Sequence, residues 1–239
     1  MSRSLRSHLD LGERELVAIV GAGGKSTVLF TLGRELAADS RTVILTTTTK
    51  MAQDQVTEPA CWSVDPRNVD RALNPGEPLF VAVGTVPGKV TGPTAEEVDR
   101  LYTETAADFV IVEADGARSM SIKAPADHEP VIPSRSTLVV IVVGIDAIGY
   151  PLCEVAHRPE RIEAITGQSA DTIVTVADVA AILLHPAGGL KQIPDTARVA
   201  IAITKVTPET EQTATDLQAL LAGDPRLNRV VVLRTALSS

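Results

Sequence analysis

The stretch Glu15-Leu16-Val17-Ala18-Ile19-Val20-Gly21-Ala22-Gly23-Gly24-Lys25-Ser26-Thr27 decides the fold class. Behind Glu15 come five apolar residues, enough for a short buried strand, and they run straight into a glycine-rich turn. Lys25 to Ala38 then carries Val28, Leu29, Leu32 and Leu36 at helical spacing. Thr42 to Thr47 returns to β-branched residues. Strand, loop, helix and strand make a βαβ unit, whose two strands are parallel and joined by a right-handed crossover.

The turn has its own chemistry. A loop that wraps phosphate oxygens with backbone N–H groups needs residues without Cβ where the chain approaches the ligand, and Gly21, Gly23 and Gly24 supply them around Ala22. The helix that starts near Lys25 points its free N–H groups at the same anion. In this reading Lys25 reaches the β and γ oxygens of a nucleoside triphosphate, Ser26 places its hydroxyl on Mg²⁺, and Thr27 closes the motif. A strand-to-helix turn that merely needs glycine accounts for Gly23 and Gly24 but not for the Lys-Ser-Thr behind them. The longer form of this motif has a further glycine at the position held here by Ile19. The shorter form resembles the loop of Mur-type peptide-ligase domains and of some metal-insertion NTPases.

Working outward, Phe109-Val110-Ile111-Val112-Glu113-Ala114-Asp115-Gly116 is an apolar strand that delivers two carboxylates at its carboxyl end, where ligands bind in open α/β sheets. Glu113 and Asp115 are therefore candidates for Mg²⁺ and for catalysis, one holding the metal and the other orienting the attacking group. The residues leave open which does which. Thr46-Thr47-Thr48-Thr49-Lys50 follows the second strand of the βαβ unit. Thr46 reads as a strand residue, whereas the hydroxyls of Thr48 and Thr49 are candidates for the metal or the γ-phosphate and Lys50 for offsetting phosphate charge. Lys205, past a late apolar strand, is a candidate for packing on a purine, or alternatively a simple strand cap. It sits where many G-proteins carry Asn-Lys-x-Asp, but with Thr204 and Thr207 in place of Asn and Asp, so a preference for GTP is unsupported. The loop Lys123-Ala124-Pro125-Ala126-Asp127-His128-Glu129-Pro130 offers His128 for proton transfer or for a second substrate. His157-Arg158 reads as a surface or helix-start contact.

Composition supports the same class. The 239 residues are 44% hydrophobic but only 3% aromatic, so the core is built from Ala, Val, Ile and Leu, as in parallel sheets covered on both faces. A formal net charge of −8 argues against nucleic acid and against anionic membrane surfaces as partners. No stretch approaches the about 18 apolar residues that span a bilayer, and Met1 to Asp10 lacks the apolar core of a signal peptide, so the expected location is the cytoplasm. Cys61 and Cys153 have no metal-ligand spacing and read as buried thiols.

Further elements follow from pattern: a strand over Leu79 to Val83, a helix over Ala95 to Ala106, and an ordered loop over Lys123 to Pro133. Thr137 to Val143 reads as a central strand, Pro159 to Thr166 and Val176 to Leu184 as helices, and Ala197 to Thr204 as a strand. Pro208 to Ala222 reads as a helix and Arg229 to Leu233 as a last strand. Gln53 to Gly92, with Pro93 behind it, is an irregular Pro-rich excursion with short strands. The expectation is an α/β, P-loop NTPase-like fold, a mostly parallel sheet flanked by helices, in a single domain over residues 1–239 with the excursion at 53–93.

The ordered set Gly21 to Thr27, Thr46 to Met51, Glu113-Ala114-Asp115-Gly116, Lys123-Ala124-Pro125, His128-Glu129-Pro130, Gly144-Ile145-Asp146 and His157-Arg158-Pro159-Glu160 resembles the YqeC family. That family is described as accessory proteins of selenium-dependent molybdenum hydroxylases, or selenium cofactor biosynthesis proteins. The resemblance implies a nucleotide-dependent step in maturing a selenium-containing cofactor, with Mg²⁺ and ATP or GTP as cofactors, a second substrate of unknown identity, and a client molybdenum hydroxylase as partner. Three activities fit: an NTPase or NTP-dependent transferase, a nucleotide-gated delivery chaperone, and a Mur-type ATP-dependent ligase. A separate acceptor domain of the kind such ligases carry is not expected within these 239 residues.

Overall fold

The computed structural model describes residues 4–234. In chain order the elements are α1 (Leu5–Leu9), β1 (Glu15–Gly21), α2 (Lys25–Ala38), β2 (Val43–Thr47), β3 (Lys50–Ala52), β4 (Ala60–Cys61), α3 (Pro66–Ala72), β5 (Leu79–Val81), β6 (Gly84–Val86) and β7 (Lys89–Thr91). They continue with α4 (Ala95–Glu104), β8 (Phe109–Glu113), β9 (Ile122–Lys123), β10 (Leu138–Gly144), α5 (Leu152–Val155), β11 (Ala156–His157), α6 (Pro159–Thr166), α7 (Val176–Leu184), β12 (Arg198–Val206), α8 (Glu211–Leu221) and β13 (Arg229–Arg234).

The main sheet has eight strands in the order β13-β12-β10-β1-β8-β2-β5-β4, and every pairing in it is parallel. The alternation of side chains along β1 explains why both faces need cover. Leu16, Ala18 and Val20 join one apolar core with residues of α4, α6, α7 and α8, while Val17 and Ile19 join the other with α1 and α2. Helix α2 buries Val28, Leu29, Leu32 and Leu36 on its sheet-facing side, the spacing that the sequence pattern marks. No helix among the described residues is long and apolar enough to cross a membrane.

Strand order positions the site. From β1 the chain crosses to β2, returns to insert β8 between them, and then passes to the opposite side of β1 to lay down β10. The direction of winding therefore reverses at β1, and the crevice outside the carboxyl ends of β1, β8 and β10 is the place where such sheets bind ligands.

The region 53–93 is more ordered than a Pro-rich pattern suggests. Strands β5 and β4 extend the main sheet, and β3, β7 and β6 form a small antiparallel sheet. Helix α3 was not expected there; Asp65 caps it by accepting from the Arg67 N–H, and Pro66 occupies its first turn, where a missing donor costs nothing. Lys123, expected at the start of a loop, instead ends β9, which pairs in parallel with β11. Pro208–Thr210 forms a 3₁₀ turn before α8. The expectation of buried thiols fails: Cys61 is half-buried and Cys153 is exposed, because Cys153 lies on the outward side of the one-turn helix α5.

Candidate functional site

The turn after β1 packs directly against the end of β10. Gly21, Gly23 and Gly24 have φ of +95°, +87° and +114°, a region that L side chains rarely enter. A Cβ on Gly23 would stand 2.2 Å from the Gly144 nitrogen, so glycine is required there by contact as well as by conformation. The N–H groups at the start of the loop are already engaged: Gly21 donates to Asp115 Oδ2 (3.0 Å), Ala22 to the Val142 carbonyl (2.9 Å) and Gly23 to the Met120 carbonyl (2.9 Å). Those of Gly24, Lys25, Ser26 and Thr27, at the N-terminus of α2, have no acceptor among the described residues. They are the donors that a helix start leaves for an anion.

Lys25 is 5% exposed and its ammonium lies 3.0 Å from the Gly21 carbonyl, 3.2 Å from Asp115 Oδ1 and 3.7 Å from Glu113 Oε1. Burial pushes its pKa down, but the carboxylates of Asp115 and Glu113 outweigh burial and hold it above the ordinary lysine value. Glu113 shifts upward: burial dominates, with Asp115 adding to it, against the opposing effects of Lys25 and of the Ser26 hydroxyl. That hydroxyl donates to Glu113 Oε2 at 2.8 Å and also lies 3.4 Å from Gln55 Oε1.

Asp115 is 1% exposed and joins the loop to a second group of charges. Its Oδ2 pairs with the Lys123 ammonium at 2.9 Å. Lys123 in turn donates to the Gly116 carbonyl (2.6 Å) and to Glu129 Oε2 (2.9 Å), and Arg158 grips Glu129 through both guanidinium nitrogens at 2.8 and 3.3 Å. Burial pushes the Glu129 carboxyl up, but Arg158 and Lys123 overcome it and bring its pKa to about 2. Lys25, Lys123 and Arg158 thus alternate with Glu113, Asp115 and Glu129 in a continuous charged chain running from the glycine-rich loop to the start of α6. One atom is left over. Asp115 Oδ1 is buried without a hydrogen-bond partner, since Lys25 is near enough for attraction but badly aligned for donation.

No group of three or more His, Cys, Asp or Glu side chains among the described residues could hold a metal ion, but a hydroxyl and a carboxylate oxygen stand together beside the loop. Adjacent ligands of an octahedral Mg²⁺ at its usual bond length are about 2.9 Å apart, and Ser26 Oγ and Glu113 Oε2 are 2.8 Å apart. The buried, unpartnered Asp115 oxygen is the kind of acceptor that a metal-bound water satisfies.

Other candidates from the sequence are placed as follows. The Thr47 hydroxyl bonds the Glu113 carbonyl (2.9 Å) and Thr49 (3.1 Å), while Thr48 donates to the Val131 carbonyl (2.8 Å). Thr48 and Thr49 stand at the crevice with these hydroxyl contacts already made; Thr46 is buried and donates to the Val81 carbonyl. Lys50 is exposed in the small antiparallel sheet, paired in register with Thr91, and has no ion pair among the described residues. Lys205, at φ +58°, bridges Ser121 Oγ and Asp146 Oδ2, each at 2.8 Å, while its neighbour Thr204 donates to the Gly23 carbonyl and so ties β12 to the loop. His128 is exposed, outside the charged chain; the histidine beside it is His157, whose strand register places it opposite Lys123. The part played by Lys123 in holding Asp115, and that of Arg158 in holding Glu129, were not legible from spacing. The available signal for Lys123 was the recurrence of ionisable residues from Lys123 to Glu129 around Pro125, and Arg158 had none beyond its place after His157.

The family model for the YqeC protein matches residues 17–160 of the chain. A relative from Escherichia coli (strain K12), named "Uncharacterized protein YqeC", is 36% identical over 196 residues, an alignment that spans 80% of this chain and 77% of that protein. No solved structure matches significantly.

Proposed function

The chain belongs to the YqeC family, and from that premise and the geometry of the loop we propose that it binds a nucleoside triphosphate with Mg²⁺, in a P-loop NTPase-like manner, as an NTPase or NTP-dependent transferase. The observation that carries the reading is the set of N–H groups from Gly24 to Thr27 without acceptors, converging with Lys25 beside a Ser26–Glu113 pair at metal-ligand separation. Gly24 to Thr27 and Lys25 would hold the phosphates, and Ser26 and Glu113 the Mg²⁺, whose charge offsets that developing on the phosphate oxygens. Asp115, fixed by Gly21 and Lys123, would hold a metal-bound or attacking water. Catalysis would then consist of positioning and charge stabilisation by a preformed site. The place of this step is the maturation of a selenium- and molybdenum-containing hydroxylase cofactor, as the family motifs imply.

A second reading, delivery of cofactor to a client hydroxylase under nucleotide control, is favoured by one observation. Trp62 and Val83 are exposed where β4 and β5 end the main sheet, an apolar pair suited to a protein partner. The two readings differ in turnover: an enzyme turns over with a small-molecule acceptor, whereas a switch hydrolyses slowly until its client is added.

Calorimetry of the full chain with Mg²⁺ and ATP, GTP or CTP tests the common premise. One triphosphate is expected to bind in a Mg²⁺-dependent way, and Lys25→Ala to abolish binding. Because Lys25 also neutralises buried carboxylates, Ser26→Ala is the companion variant; it is expected to keep the fold by circular dichroism while losing the Mg²⁺ dependence. A folded wild-type protein that binds none of the three would overturn the reading.

A further inference from the structure

Beyond the phosphate loop, one feature at the same edge of the sheet is unaccounted for. The segment 117–121 is bolted to the loop: the Met120 carbonyl accepts from the Gly23 N–H, and the Ser121 carbonyl accepts from the Gly144 N–H at 2.8 Å. At its apex Arg118 and Ser119 are consecutive non-glycine residues in the left-handed region, with φ of +47° and +62°, and both are exposed. Such conformations persist only where surrounding contacts impose them, and they concentrate at ligand-binding positions. Arg158, at the N-terminus of α6, is a third left-handed residue at this edge, with φ +65°, and its guanidinium is aimed by Glu129.

His157 stands close to these residues. Strand pairing sets it opposite Lys123, and it precedes Arg158 in the chain. The charged groups that reach it are Arg158, Lys123 and Arg118, against the single carboxylate of Glu129. Burial first, and then Arg158, Lys123 and Arg118, hold the imidazole below its ordinary pKa. Glu129 is already shared between Lys123 and Arg158, and Arg118 has no carboxylate partner among the described residues. In a chain of net charge −8, this is a local surplus of positive charge beside the phosphate loop.

We propose that Arg118, His157 and Arg158 form a binding site for the oxyanion group, phosphate or carboxylate, of the second substrate. It rests on the reading of the adjacent loop as a triphosphate site, since it supplies the place from which an acceptor would face the γ-phosphate. An arginine without a partner and one already aimed by a carboxylate can share an oxyanion, and the imidazole gains a proton as the anion arrives. Lys123 lies behind them, engaged with Asp115 and Glu129, and communicates the charge of one site to the other.

The test is an NMR titration of the histidine ring signals of the full-length protein with inorganic phosphate and, separately, with succinate, the His157 signal being assigned through His157→Gln. The expected result is a saturable shift of the His157 signal and an upward move of its titration midpoint with at least one probe; which probe acts distinguishes a phosphorylated acceptor from a carboxylate one. Arg118→Gln, an exposed substitution, is expected to weaken that response about tenfold or more, as loss of a charge-assisted hydrogen bond does. Ser26→Ala should leave it in place. No response of His157 to either probe, an unaltered response in Arg118→Gln, or a response lost only in Ser26→Ala would each overturn the proposal. Failure of triphosphate binding in calorimetry with an intact His157 response would instead sink the nucleotide reading and leave the oxyanion site standing.

Discussion

Replacing Lys123 by Met removes the link between the two halves of the charged chain while keeping most of the side-chain volume. The Lys123 ammonium is almost wholly enclosed and has three partners: Asp115 Oδ2 at 2.9 Å, Glu129 Oε2 at 2.9 Å and the Gly116 carbonyl at 2.6 Å. Removing one partner of a buried ion pair typically costs about 3–5 kcal/mol, because the remaining charge stays buried. The two pairs do not add here, since Arg158 still holds Glu129 and Lys25 still lies near Asp115. A loss of about 3–5 kcal/mol in a chain of this length lowers Tm by roughly 6–20 °C at pH 7. The pH dependence has a definite sign. Glu129 has a folded pKa of about 2, below its ordinary value of 4.5, so its contribution is present above the ordinary value and lost as pH falls toward 2. The variant lacks one of the two cations that depress it, so its folded pKa rises and it has less stability to lose. The gap between wild type and Lys123→Met should therefore narrow between pH 4.5 and pH 2. Urea denaturation of both proteins at pH 7 and at pH 3.5, with calorimetric Tm at pH 7, measures it. A loss under about 1 kcal/mol at pH 7, or a gap that widens on acidification, would refute the account of Lys123 as the clamp on two buried carboxylates.

Two further outcomes follow from the site. Gly23→Ala should destabilise the fold and abolish triphosphate binding together, because its Cβ meets the Gly144 backbone at 2.2 Å and φ is +87°; the thermal shift and a calorimetric titration read both, and a variant with unchanged Tm would show that the loop moves away from β10 freely. His128→Ala should leave triphosphate binding and turnover within about twofold of wild type, as expected for an exposed side chain outside the charged chain; a loss of tenfold or more in turnover would return His128 to the site.

Local pattern carried a good deal of this protein. The apolar run of β1, the glycines behind it and the helical spacing of Val28, Leu29, Leu32 and Leu36 specify the βαβ unit, because side-chain period and glycine conformation are properties of short segments. The acidic ending of β8 could be read the same way. The boundaries of the later strands and helices were legible to within a few residues, whereas α3 was hidden among prolines, although Asp65-Pro66 was its signal. In the candidate site, Lys25, Ser26, Glu113 and Asp115 converge where the motif pattern directs them, while Lys50 turns away into the small sheet and His128 stands outside.

What only the tertiary structure decided is which segments meet. Inserting β8 between β1 and β2 sets Glu113 beside Thr47 and Asp115 against Lys25. The crossing to β10 brings Gly144 onto the glycine-rich loop, and the pairing of β9 with β11 puts His157 opposite Lys123, 34 positions away in the chain. Spacing along the chain records which face a residue shares with its near neighbours. The order in which distant strands assemble is set by the burial of both faces of the sheet at once, and that is a property of the whole core.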